Sequence, residues 1–164
     1  MIELAYSGAA VGDATPWMSR TNIKGAPTLQ HRIEDSRLLM MQRAFRPTGG
    51  MVGGDEMARL MRRHSEQPIS VLARWIVSRE AVSFEWKSQT LLPLFQFDLS
   101  DMSLRPGVTG VVRELAGVFE DMSLALWFAE SNAWLGDVSP AEVIAVDPAS
   151  VLDCARADRF IARG

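Results

Sequence analysis

The chain holds one cysteine, Cys154, and two histidines, His31 and His64, in 164 residues. A lone thiol cannot close an internal disulfide, so the fold is expected to stand without a covalent staple, as suits a reducing cytoplasm. Three scattered Cys and His residues do not make the spacing a zinc site needs. A nucleophile–base pair would have to be built from the same two histidines, and His64 sits beside Arg62 and Arg63 as a solvated residue would. The glycine-rich run of residues 49–54 lacks both the lysine-serine/threonine of a phosphate loop and the dinucleotide spacing, and reads as a flexible hinge. Asp98 and Asp101 fall in a polar linker and read as solvated. No apolar run approaches about 18 residues, and the N-terminus has no basic region leading into an apolar core, so neither a spanning helix nor a secretory leader is expected. No enzyme, metal or cofactor is therefore expected.

What the chain does have is 48% hydrophobic residues and 23% charged ones, with a formal net charge of −3. That is material for one ordinary domain or two small modules sharing a core. The mild acidity argues against a general nucleic-acid coat but leaves room for a local basic patch. Residues 1–30 are rich in small residues and lack periodicity, with Tyr6 and Trp17 as their only bulky anchors, and read as a poorly ordered arm. From His31 to Phe45 apolar residues recur every three or four positions, which predicts a helix ended by Pro47 and the Gly49-Gly50 pair.

Asp55 and Glu56 open a further helix with an apolar face of Met57, Ala58, Leu60 and Met61. Pro68 opens another, in which Ile69, Leu72, Ala73 and Ile76 follow the i, i+3, i+4, i+7 pattern. Two short helices joined by a brief turn outline a helix-turn-helix. The period then changes: Val82, Phe84 and Trp86 alternate with polar residues, a polar turn follows, and residues 91–97 form a second apolar run in which Pro93 implies an edge or a bulge. The natural reading is a β-hairpin packed on the helices. Arg62, Arg63, Gln67, Ser70 and Arg74, with Lys87 at the hairpin tip, are the candidate DNA contacts; the same arginines also fit a solvated helix face. The layout, with Arg74-Trp75 on the second helix and Pro93-Leu94-Phe95-Gln96-Phe97 closing the hairpin, resembles a winged helix of the MerR or excisionase type.

After the boundary signal Arg105-Pro106-Gly107, an amphipathic helix carries Val108, Val111, Val112, Leu115 and Phe119. Leu124, Trp127 and Phe128 then share one stripe, and Glu130-Ser131-Asn132 ends their helix. Gly136 lets the chain bend just after Trp134 and Leu135, and Ser139-Pro140-Ala141-Glu142 reads as a capping box with proline at the first helical position. Asp147-Pro148 repeats the cap-plus-proline start for a last helix. A large apolar pair held in a turn between two capped helices is either a core plug or an anchor for a partner.

The segment Asn132-Ala133-Trp134-Leu135-Gly136-Asp137-Val138-Ser139-Pro140 resembles the Asn-x-Trp-Leu-Gly-x-x-x-Pro element of the toxin-binding domain of Xre/MbcA/ParS-type bacterial antitoxins. The resemblance covers roughly the last sixty residues. It implies that the C-terminal helices dock a cognate toxin, often one whose RES domain consumes NAD, and that the C-terminal end covers the toxin's active site. Trp127, Asn132, Trp134, Leu135, Gly136 and Pro140, with Arg159, Phe160 and Arg163 near the end, become the partner-binding candidates.

The expected fold is thus mainly α-helical with one small β-hairpin. It comprises an arm (residues 1–30), a helix plus winged helix-turn-helix module (31–98) and a helical toxin-binding-like domain (107–164). The expected function is an antitoxin-like, cytoplasmic homodimer that neutralises a toxin by occlusion and binds its own operator DNA. Two alternatives stand beside it: a DNA-binding regulator whose C-terminal domain only dimerises, and an orphan adaptor.

Overall fold

A computed structural model describes residues 28–164; the expected arm lies outside the described residues except for its last three. Of those three, Leu29 and Gln30 open a helix and Thr28 is its cap. α1 runs Leu29–Phe45, and Thr28 caps it by accepting the His31 N–H at 3.4 Å. A 3₁₀ turn over Arg46–Thr48 follows, and Gly49 (φ 105°) and Gly50 (φ 82°) then reverse the chain in the left-handed region that glycine tolerates. The segment read as a hinge is instead a strand, β1 (Met51–Gly53). Three residues, the last of them a glycine, set between Gly50 and Gly54 carry too little alternation to announce themselves.

α2 (Gly54–Met61) and α3 (Pro68–Val77) form the expected helix pair, with Asp55 and Glu56 in the first turn of α2 and Pro68 at the start of α3. β2 (Phe84–Trp86) and β3 (Gln89–Pro93) make the hairpin. Its two-residue turn is Lys87 (φ 45°) and Ser88 (φ 64°), both left-handed, as a type I′ connection requires. β1 pairs antiparallel with the far side of β3, so the sheet order is β1-β3-β2 and β3 is central. Pro93 is therefore not on an edge; it sits at the last position of β3, opposite Met51, where the ladder stops.

The expected linker is a second small ladder. β4 (Phe97–Asp98) pairs with β5 (Ser103–Leu104). The Asp98 carboxylate accepts the Ser100 N–H (2.9 Å) and hydroxyl (2.7 Å), and Asp101 accepts the Ser103 N–H at 2.9 Å. These bonds hold both carboxyls below the usual carboxylate range, so the two acids cap turns, although both stay solvated at the surface as expected. The C-terminal part is α4 (Pro106–Leu115), α5 (Asp121–Ala129), the short α6 (Pro140–Val143) and α7 (Pro148–Arg163). α4 and α7 pack so closely that a Cβ on Gly107 would lie 2.5 Å from Pro148 Cβ.

The protein is mainly α-helical with a small antiparallel β part. Its main core joins Met41 and Phe45 of α1 and Phe84 of β2 to Val111, Phe128 and Val151 of the C-terminal helices. An aromatic relay runs through it: Phe45 stacks on Phe95 (centroids 5.5 Å), Phe95 meets Phe128 at a tilt (4.8 Å, 34°), and Phe128 meets the Trp127 ring edge-on (5.0 Å). A smaller cluster of Met57, Met61, Leu72, Leu92, Phe97 and Met102 lies beneath α2 and α3. The main core thus crosses the boundary expected between residues 98 and 107. Among the described residues one polar side chain is fully buried: Gln96 accepts the Val82 N–H (2.7 Å) and donates to the carbonyls of Val82 (2.8 Å) and Pro93 (2.9 Å), satisfying groups the sheet leaves over.

Candidate protein-docking site

The corner after α5 is organised by Asn132. Its backbone N–H donates to the Val138 carbonyl (3.1 Å), and its own carbonyl accepts the N–H groups of Leu135 (2.9 Å) and Asp137 (3.0 Å). Its side-chain oxygen accepts the Trp134 N–H at 2.9 Å, and its amide donates to Asp158 Oδ2 at 3.3 Å. Asparagine supplies a donor and an acceptor on one short side chain, which is what this corner uses. Ala133–Leu135 form a single 3₁₀ turn; Gly136 (φ 68°) and Asp137 (φ 63°) then both take the left-handed conformation and send the chain back toward α6.

The two side chains of the apolar pair part company. Leu135 turns inward against the main core. Trp134 points out and is 73% exposed, with Val138 (40% exposed) close to it in sequence. The backbone that carries the indole is already ordered by the turn's hydrogen bonds, while the indole itself is open to solvent.

Sequence reasoning missed Asp158, on α7. Its Oδ2 accepts the Trp127 indole N–H at 2.7 Å as well as the Asn132 amide. It therefore couples α5, the corner and α7 through one carboxylate oxygen. Cys154, one turn before it, is buried, and its thiol is pushed up to about 11 by burial and by the Asp158 charge. Nothing in the local sequence marks Asp158, since the residues it joins lie 26 and 31 positions away.

The remaining partner-binding candidates separate. Pro140 is buried at the start of α6. Ser139 makes no side-chain bond to the backbone there; its hydroxyl donates to Glu142 Oε2 at 2.7 Å, so the two side chains bond each other and neither backbone bond of the expected capping box is made. Arg159 is held at 2.8 Å by Glu114 and ties α7 to α4. Phe160 (79% exposed) and Arg163 lie open near the end of α7, beside exposed Ile161.

The candidate DNA contacts Arg62, Arg63, Gln67, Ser70 and Arg74 are all exposed, and the three arginines form no ion pair among the described residues. Lys87 is engaged: its Nζ lies 3.1 Å from Asp35 Oδ1 of α1 and over the Trp86 ring. The open face of α3 also carries Ile69 (68% exposed) and Val77 (83%). Among the described residues no group of three or more His, Cys, Asp or Glu is placed to hold a metal ion, and no helix is long and apolar enough to cross a membrane. Compared with protein families, with curated proteins and with solved structures, the chain finds no match in any of the three.

Proposed function

We propose that this chain is an antitoxin-like protein that docks a partner through the Trp134 corner and neutralises it by steric occlusion, without turnover. The observation that carries the reading is a large indole left in solvent on a turn whose polar groups are hydrogen-bonded. Such anchors dominate interface energies because the whole ring is desolvated in a pocket of the partner. The motif resemblance at Asn132–Pro140 gives the partner's class: a cognate toxin, with a RES-domain NAD-consuming enzyme as the leading form. Exposed Phe160 and Arg163 at the end of α7 would then extend the contact toward the toxin's active site. A cytoplasmic setting fits a toxin that acts on a cytoplasmic cofactor.

The test is co-expression with the product of the neighbouring gene. The reading expects a stable complex and rescue of growth when that product is toxic. Separate elution of the two products and undiminished toxicity would contradict it.

A second reading, DNA binding by α2 and α3, is favoured by the exposed Arg62, Arg63 and Arg74. It predicts a gel shift of the upstream DNA that survives added salt better than the shift of an unrelated fragment.

A further inference from the structure

We propose that the surface which receives the Trp134 corner is basic: a protein pocket for the indole, rimmed by lysine or arginine side chains. The proposal rests on the docking reading of that corner and adds the charge of its occupant. From Met122 to Leu152 the chain carries no lysine, arginine or histidine, and it carries four acids, Glu130, Asp137, Glu142 and Asp147. All four are exposed, and none makes an ion pair among the described residues. Three of them belong to the indole's own turn or to its edges. Asp137 lies in the turn and donates its N–H to the Asn132 carbonyl at 3.0 Å. Asn132 forms an antiparallel bridge with Val138, and Glu130 stands two residues before it. Glu142 Oε2 accepts the Ser139 hydroxyl at 2.7 Å, one residue past the bridge.

The cations of the neighbouring elements leave this charge standing. Arg156 pairs with Asp153 at 3.0 Å and Arg159 with Glu114 at 2.8 Å, so these four groups cancel among themselves. Arg163 reaches past the end of α4, where a Cβ on Gly117 would lie 3.4 Å from its guanidinium. Arg46, on the 3₁₀ turn packed against α6, makes no ion pair and offsets at most one of the four acids. Asp158, behind the corner, adds a further carboxylate beside Trp127 and Asn132. Charge then selects among the occupants an exposed indole could have. The phosphates of a nucleic acid or of an anionic lipid would be repelled by the carboxylates around it. A second copy of the same corner would bring like charges face to face. A basic protein surface gains twice, because the indole is desolvated in its pocket while the acids meet cations at the rim. Since the acids are exposed, they act on the rate of encounter more than on the lifetime of the complex.

Stopped-flow mixing of the purified chain with the purified product of the neighbouring gene tests this. Raising sodium chloride from about 0.02 to about 0.5 M should slow association by at least about tenfold. The variant Glu130→Gln/Asp137→Asn/Glu142→Gln removes three charges at nearly constant shape, and asparagine keeps the left-handed backbone that Asp137 adopts (φ 63°). At low salt it should associate about tenfold more slowly than the parent, dissociate within about twofold of it, and lose most of the salt dependence. Glu66→Gln, between α2 and α3, should behave as the parent. Trp134→Ala should act the other way, with faster dissociation and the salt dependence intact. Association that salt leaves unchanged or accelerates, or that the triple variant does not slow, overturns the basic rim; a defect in Trp134→Ala would then leave the docking reading standing. The absence of any complex overturns both. The salt series on the parent chain decides even where the triple variant fails to fold.

Discussion

Replacing Asp158 by alanine isolates the coupling between α7 and the corner. The substitution removes the acceptor for the Trp127 indole N–H at 2.7 Å and for the Asn132 amide at 3.3 Å. A hydrogen bond to a charged group contributes about 1.5–3 kcal/mol, and the longer of these two lies near the weak end. Trp127 is half-buried in the main core, so its N–H loses its partner without full access to water. The expected loss in unfolding free energy is therefore about 2–4 kcal/mol. Asp158→Asn keeps one acceptor oxygen without the charge and should lose about 1 kcal/mol. Guanidinium denaturation with an unchanged m-value measures both. Hydrogen exchange supplies the local readout: the Trp134 and Asn132 amides should exchange faster in Asp158→Ala, because the Asn132 side chain that accepts the Trp134 N–H has lost its own anchor. A stability change below about 0.5 kcal/mol, or protection of the corner amides equal to the parent chain, would refute the coupling.

Two further perturbations test other parts of the account. Gln96→Ala strips partners from the Val82 N–H and from two buried carbonyls, so it should destabilise by about 3 kcal/mol or more, measured by the same denaturation. The folded Cys154 thiol holds its proton to higher pH than the unfolded one. Its contribution to stability is thus complete below the ordinary thiol range and is lost as pH rises toward about 11; a Cys154→Ala variant should lose less stability over that alkaline window in paired pH titrations.

Long periodic stretches were legible in the sequence. α2, α3, α4 and the hairpin follow from apolar spacing and from proline or acidic starts, because each buries one face against a neighbour and the residues repeat accordingly. Short elements were not. β1 has three residues and gains its stability from β3, some forty positions on, so Gly49-Gly50 and Gly53-Gly54 read as looseness rather than as a reversal and the passage from a strand into α2. β4 and β5 have two residues each and are held by Asp98 and Asp101, whose side chains look solvated until their turn bonds are placed. At the site, the Asn-x-Trp-Leu-Gly run located the corner, and Gly136 forecast its left-handed turn. Which of Trp134 and Leu135 faces solvent depends on how α7 packs, and Asp158 and the Arg159–Glu114 pair are tertiary contacts with no local signature.

Trp134→Ala carries the central claim. The side chain is exposed, so its removal should change unfolding free energy by no more than about 0.5 kcal/mol. Titration calorimetry of the neighbouring gene's product against this variant and the parent chain should show binding weakened by about 2 kcal/mol or more, near thirtyfold. Equal affinity for both chains would contradict the proposal that the indole is the docking anchor.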